Sequence, residues 1–348
     1  MGDLIEVRQD ERFDVEAVTA WIAVQPGLPT ESAQVMQFGG GKANLTYLLT
    51  YPDGKELVLR RPPLGPVATS SHDMSREYRV LSRLWRSFDK APRAVAFCED
   101  TTVIGAPFVL MERRDGLVVR GQVPAELGSG KDAISNGKLS EVVIKTLAEF
   151  HNVDPDECDL GDLGHPQGFI ERQVSGWTGR WEKSKHEENA TADEVADWLA
   201  SELPDSGHPT LLHNDWRLDN MALDPKDPAQ CTAVYDWDMA TRGDPLADLG
   251  TLMGSWFDPG EAPEELGMMP TTVEGWMNRK AAVGLYGELT GTDMSRVDWY
   301  LVFGSWKLGV VLQQIYIRWL RGQTKDGRFQ ALDEGARQLF RLAADRRP

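Results

Sequence analysis

Residues 211–223 read LLHNDWRLDNMAL and residues 233–250 read AVYDWDMATRGDPLADLG, two stretches that set Asp215, Asp219, Asn220, Asp236 and Asp238 beside apolar runs. The first has the form H-x-D-x-x-x-x-N. A carboxylate at Asp215 can orient a hydroxyl and accept its proton, and an amide at Asn220, five positions on, offers a neutral oxygen to a metal. Asp236 follows a short apolar run and presents a second hard oxygen ligand of the kind magnesium takes. Asp and Asn also favour loops because they bond their own backbone, so each stretch taken alone reads equally well as an ordinary turn.

The first third of the chain supplies the missing parts. AQVMQFGGGKANLTYLLTYPDGKELVLRRPP (33–63) alternates as strand, glycine turn, strand, PDG turn and strand. In FGGGKAN, Gly39, Gly40 and Gly41 followed by Asn44 form a turn whose small residues let backbone N–H groups approach phosphate oxygens, although a plain hairpin needs no more than this. Period-two alternation in ELVLRR puts Val58 and Arg60 on one face and Leu57, Leu59 and Arg61 on the other, so one face can carry a base contact and a phosphate cation. Glu77, in a helical pattern spanning 72–88, is spaced to pair with Arg60. AVAFCE and PFVLMERR add two strands, and the backbone from Met111 through Glu112 to Arg113 can edge a purine or simply join two domains.

With 348 residues the chain suits two lobes. The expectation is an α+β fold: a five-strand antiparallel sheet with one helix and a leading helix over 12–25, in residues 1–114, then a mostly helical part over 115–348. Helices are expected at 138–152, 168–183, 191–203, 274–290 and 296–321. A formal charge of −17 disfavours general binding to nucleic acid or an anionic membrane, while a nucleotide can still bind locally. Three widely spaced cysteines suggest neither a disulfide framework nor a zinc site and point to a reducing compartment, the cytoplasm. No stretch approaches the roughly 20 apolar residues of a membrane span. Ten of the twelve tryptophans lie beyond residue 114, where they can line an acceptor pocket or fill a core.

In their order, GGGKANLTYLL, LVLRRPP, SREYRVLSRL, PFVLMERRDG, LLHNDWRLDN, YDWDMATRGDPLADLG and QQIYIRWLRG resemble the aminoglycoside phosphotransferase (APH) family of the protein-kinase-like fold, closest to its acyl-CoA-dehydrogenase-associated branch. That resemblance implies a small-molecule kinase using ATP, or GTP in its place, and Mg2+ to phosphorylate a hydroxyl of a metabolite such as a hydroxyacyl-CoA or an aminoglycoside. It makes Asp215 catalytic, Asn220 and Asp236 metal ligands, Glu77 the partner of Arg60, Asp248 the brace of the catalytic loop and His213 its anchor. Arg60 stands where many relatives have lysine. Asn214 and Trp237-Asp238 depart from the protein-kinase pattern, so no activation-loop switch is expected. A pseudokinase and a magnesium-dependent phosphohydrolase are the competing readings.

Overall fold

The computed structural model describes residues 4–40, 44–63, 73–261, 269–324 and 326–348. Two compact units emerge. The first comprises Met1–Leu117, Asp156–Gly161 and Thr232–Ala240, and the second Val118–Pro155, Asp162–Cys231 and Thr241–Pro348. The unit read from the sequence as 1–114 thus also gathers two short later segments, among them the one that carries Asp236.

The first unit contains β1 (Leu4–Ile5), α1 (Val15–Ala23), β2 (Gln34–Phe38), β3 (Leu45–Thr50), β4 (Glu56–Arg61), α2 (Met74–Leu81), β5 (Ala94–Cys98) and β6 (Phe108–Glu112). The strands form an antiparallel sheet in the order β1-β2-β3-β4-β6-β5. Five of them are the expected ones. The sixth, β1, is a two-residue edge strand, too short for alternation to reveal. One face packs under α1, where Val18 and Ile22 meet Tyr47, Leu49, Leu57, Leu59, Phe108 and Leu110. Each such side chain contributes about 1.5–3 kcal/mol on burial. Arg61 lies on that same face, its guanidinium donating to the Glu11 carbonyl (2.9 Å) and the Tyr47 hydroxyl (3.2 Å), as the alternation of ELVLRR requires. The opposite face presents Arg60 to α2.

Asp14 caps α1 and Asp73 caps α2, each accepting a backbone N–H three residues on. The helical pattern over 72–88 breaks in two: α2 ends at Leu81 and a 3-10 turn follows at Leu84–Arg86, keeping Leu81 and Leu84 buried.

The second unit contains α3 (Ala133–His151), α4 (Phe169–Ser184), α5 (Ala190–Ser201), β7 (Thr210–Leu212), β8 (Met221–Asp224), β9 (Asp227–Val234, its last residues in the first unit), β10 (Thr241–Gly243), α6 (Pro245–Gly254), α7 (Arg279–Thr290), α8 (Val297–Leu320) and α9 (Leu332–Asp345). β7 pairs antiparallel with β10, and β8 and β9 form a second two-stranded sheet. The helix expected from 274 starts only at Arg279. Gly275 adopts φ +83° against the backbone of Ala133, outside helical geometry, and Asn278 then caps α7. Trp181, Trp216, Trp256 and Trp306 are fully buried, so most of the tryptophan excess is core. α6 and α8 cross backbone to backbone: a methyl on Gly250 would overlap Tyr300, and one on Gly304 would overlap the Gly250 carbonyl. Among the described residues no helix is long and apolar enough to cross a membrane.

Candidate active site

In the first unit one guanidinium meets two carboxylates. Arg60 on β4 forks, Nη1 to Glu77 Oε1 at 3.0 Å and Nη2 to Asp236 Oδ1. Both Arg60 and Glu77 are buried. Burial pushes the Glu77 carboxyl up to about 7; Arg60 opposes this, and Asp236 and Asp238 add to it. Burial by itself would lower the Arg60 pKa, but Glu77 and Asp236 outweigh it and hold the guanidinium charged. Asp236 sits at φ +69°, in the left-handed region that costs a non-glycine residue about 1–2 kcal/mol. The neighbouring Asp238 accepts the Asn44 side-chain amide at 3.0 Å, and its carbonyl lies 3.5 Å from Arg76 Nη1. Asn44, read from the sequence as part of a phosphate turn, therefore directs its side chain to bracing the segment around Asp236.

The other nucleotide-site residues of the sequence reading lie in this unit too. Gly39 and Gly40 form the turn after β2, and Gly41 lies outside the described residues. Val58 pairs in register with Met111 across β4 and β6. The Glu112 amide donates to the Arg93 carbonyl (2.9 Å), so it is engaged in the chain's own hydrogen bonding. Glu112 and Arg113 hold ion pairs, to Arg114 (2.7 Å) and Glu56 (2.7 Å) respectively.

The second unit builds the loop around Asp215. β7 delivers His213, and the buried Asp248 in the first turn of α6 accepts the N–H of His213 (2.6 Å) and of Asn214 (2.8 Å). Those bonds hold Asn214 at φ +66° and turn the chain toward Asp215. The Asp215 N–H donates to His213 Nδ1 at 3.3 Å. Asn220 Nδ2 donates to the Asp215 carbonyl (2.9 Å) and to its carboxylate Oδ2 (3.0 Å), which fixes the carboxylate's orientation. Trp216 pins the loop to α3: its indole N–H donates to the Val143 carbonyl (3.2 Å) and its ring stacks on Phe150 at 5.8 Å.

Two further residues were missed from the sequence. His151, at the end of α3, lies between the Tyr286 hydroxyl (2.7 Å from Nδ1) and Asp248 Oδ2 (3.4 Å from Nε2). Burial works to raise the Asp248 pKa, but the bonds from His151 and His213 outweigh it and hold the carboxyl below its ordinary range. The other is Lys307, the one charged residue of α8 between Tyr300 and Ile317, and that isolation was a signal available in the sequence.

Among the described residues no group of three or more His, Cys, Asp or Glu could hold a metal alone. Phosphate-bound magnesium takes only one or two protein groups, and hard oxygens suit it. The carboxylate surplus around Arg60 in the first unit, Asp236 included, offers oxygens of that kind.

A twisted antiparallel sheet with a packed helix, followed by a helical unit carrying H-x-D-x-x-x-x-N, is the protein-kinase-like α+β fold. The chain belongs to the phosphotransferase enzyme family (APH), whose model matches residues 34–270. It is 30% identical over 329 residues to acyl-CoA dehydrogenase family member 11 of Gallus gallus, covering 91% of this chain and 41% of that protein, so it spans about two fifths of the relative's length. Among solved structures, an aminoglycoside-phosphotransferase-like chain from Ralstonia eutropha JMP134 superposes with a TM-score of 0.81 at 27% identity, over 96% of this chain and 98% of that one. A GDP complex of aminoglycoside 2'-phosphotransferase-IIIa shares the fold at a TM-score of 0.61 and 15% identity, over 95% of this chain and 97% of that one.

Proposed function

We propose that the chain transfers the γ-phosphoryl of ATP, or of GTP, to a hydroxyl of a hydroxylated acyl compound such as a hydroxyacyl-CoA. The observation that carries this reading is Asp215, whose carboxylate is oriented by Asn220 on a loop hung from Asp248. The acceptor oxygen bonds to the γ-phosphorus while the bridging oxygen leaves with its electron pair on the nucleoside diphosphate, and the hydroxyl proton passes to Asp215. Because such transition states are loose, positioning and charge neutralisation matter more than the basicity of Asp215. Arg60 is the cation for the donor phosphates, held on its far side by Glu77. Asn220 and Asp236 would supply oxygens to a magnesium ion, which would neutralise charge developing on the phosphates. Gly39 and Gly40 cradle those phosphates, and Val58 with the Met111–Arg113 backbone borders the base.

An acyl acceptor is preferred over an aminoglycoside because the curated relatives are acyl-CoA dehydrogenase family members. The test is Mg-dependent transfer of label from ATP, and separately from GTP, into hydroxyacyl-CoAs, aminoglycosides and sugars, with wild type beside Asp215→Asn. Wild type alone should label a hydroxyacyl product while both proteins bind nucleotide equally. Release of inorganic phosphate without a labelled acceptor would favour a phosphohydrolase, and equal binding with no chemistry a nucleotide-binding protein.

A further inference from the structure

Lys307 is buried in an otherwise uncharged stretch of α8, with its ammonium 3.1 Å from the Thr251 hydroxyl and 5.2 Å from the centre of the Trp177 ring. Arg180, one turn beyond Trp177 on α4, is exposed and holds its guanidinium 4.3 Å from the same ring. Among the described residues neither cation has a carboxylate at ion-pair distance. Asp248 and Asp215 act on Lys307 only through space, and Arg180 repels it. Burial draws the Lys307 ammonium below its ordinary range, with the two aspartates opposing the shift.

A buried ammonium with one hydroxyl partner has hydrogen-bonding capacity left over, since it carries three donors. A second cation beside it on one indole raises the local positive potential, which an incoming anion would relieve. Lys307 lies within electrostatic reach of Asp215, where the acceptor hydroxyl must sit if the proposed function is right, and the inference rests on that reading.

We infer that Lys307 and Arg180, flanking Trp177, form an acceptor subsite for an anionic oxygen group joined to the reacting hydroxyl by an apolar segment that lies along the indole. A polycationic acceptor would meet two like charges there. The anion could be the carboxylate of a free hydroxy acid or a phosphate of a thioester-linked carrier; the recognition chemistry is shared.

The experiment measures phosphoryl transfer from Mg-ATP to a hydroxylated medium-chain fatty acid, its methyl ester, its coenzyme A thioester, its N-acetylcysteamine thioester, and kanamycin. Wild type should favour an anionic acceptor over its neutral counterpart by about tenfold or more in kcat/KM. The acid against its methyl ester reports a carboxylate, and the two thioesters against each other report a carrier phosphate. Lys307→Met and the exposed-site variant Arg180→Gln should each shrink that preference, chiefly through KM. If the variants depress anionic and neutral acceptors equally, Lys307 is only a counter-ion to Asp248 and the subsite is refuted. Preference for kanamycin or for neutral acceptors leaves a kinase standing and removes the subsite. Transfer to none of the five, with nucleotide bound, removes the proposed function and the subsite with it.

Discussion

Replacing Asp248 by asparagine tests the support of the Asp215 loop with almost no change in volume. The native carboxylate accepts two charge-assisted backbone hydrogen bonds, at 2.6 and 2.8 Å, and faces the His151 ring at 3.4 Å, all buried. An asparagine keeps one acceptor oxygen and turns an NH2 toward a backbone N–H or an imidazole N–H. A lost hydrogen bond to a charged group costs about 1.5–3 kcal/mol, and a buried donor left unpaired adds to it, so about 3 kcal/mol is expected. For a unit of this size each kcal/mol moves Tm by roughly 2–4 °C, giving a fall of about 6–12 °C by tryptophan fluorescence. The pH dependence identifies the cause. Because the folded pKa of Asp248 is depressed, its ionised form stabilises the protein above the unfolded-state value, about 3.9, and that stability is lost as pH falls through the folded value. The gap between wild type and variant should thus be full near neutrality and narrow below about pH 4. A variant melting within about 2 °C of wild type at neutral pH, with phosphoryl transfer intact, would refute the argument that this carboxylate carries the loop.

Gly304→Ala should cost more than about 3 kcal/mol, because the added methyl meets the Gly250 backbone and two helices must part; soluble yield and Tm read this out. Arg60→Lys should weaken nucleotide binding by about tenfold in a fluorescence titration, since one ammonium cannot reproduce the fork to Glu77 and Asp236. Asn220→Ala removes the bond that orients the Asp215 carboxylate, together with one to the Asp215 carbonyl, and should lower kcat by about a hundredfold with Tm nearly unchanged; a variant retaining full kcat would show that the orientation is dispensable.

Much of this was legible from local pattern. ELVLRR announced its two faces because β-strand period is strict, and HNDWRLDN announced a loop because its Asp and Asn residues favour turns. What escaped was set by partners distant in sequence. Nothing near Asp236 says that Arg60 will grip it, or near Asn44 that its amide will turn to Asp238. His151 and Tyr286 each look like ordinary helix residues until α3 and α7 bring them to Asp248. The short pairings β1–β2 and β7–β10 lie below the length at which alternation can be counted.

The glycine crossing of α6 and α8 reaches beyond packing. Where two helices touch through side chains, rotamers can absorb a shift; where they touch through peptide groups there is nothing soft to yield. Asp248 sits two residues before Gly250 on one helix, and Lys307 three after Gly304 on the other, joined to Thr251. The pair should therefore behave as a single stiff strut, fixing the distance between the loop that holds Asp215 and the ammonium on α8. On the proposed reading that distance would act as a gauge on the acceptor, admitting molecules whose hydroxyl and second polar group are spaced to match it. Changing acceptor length would then require altering the side chains at the ends of the strut, since the strut itself tolerates no change.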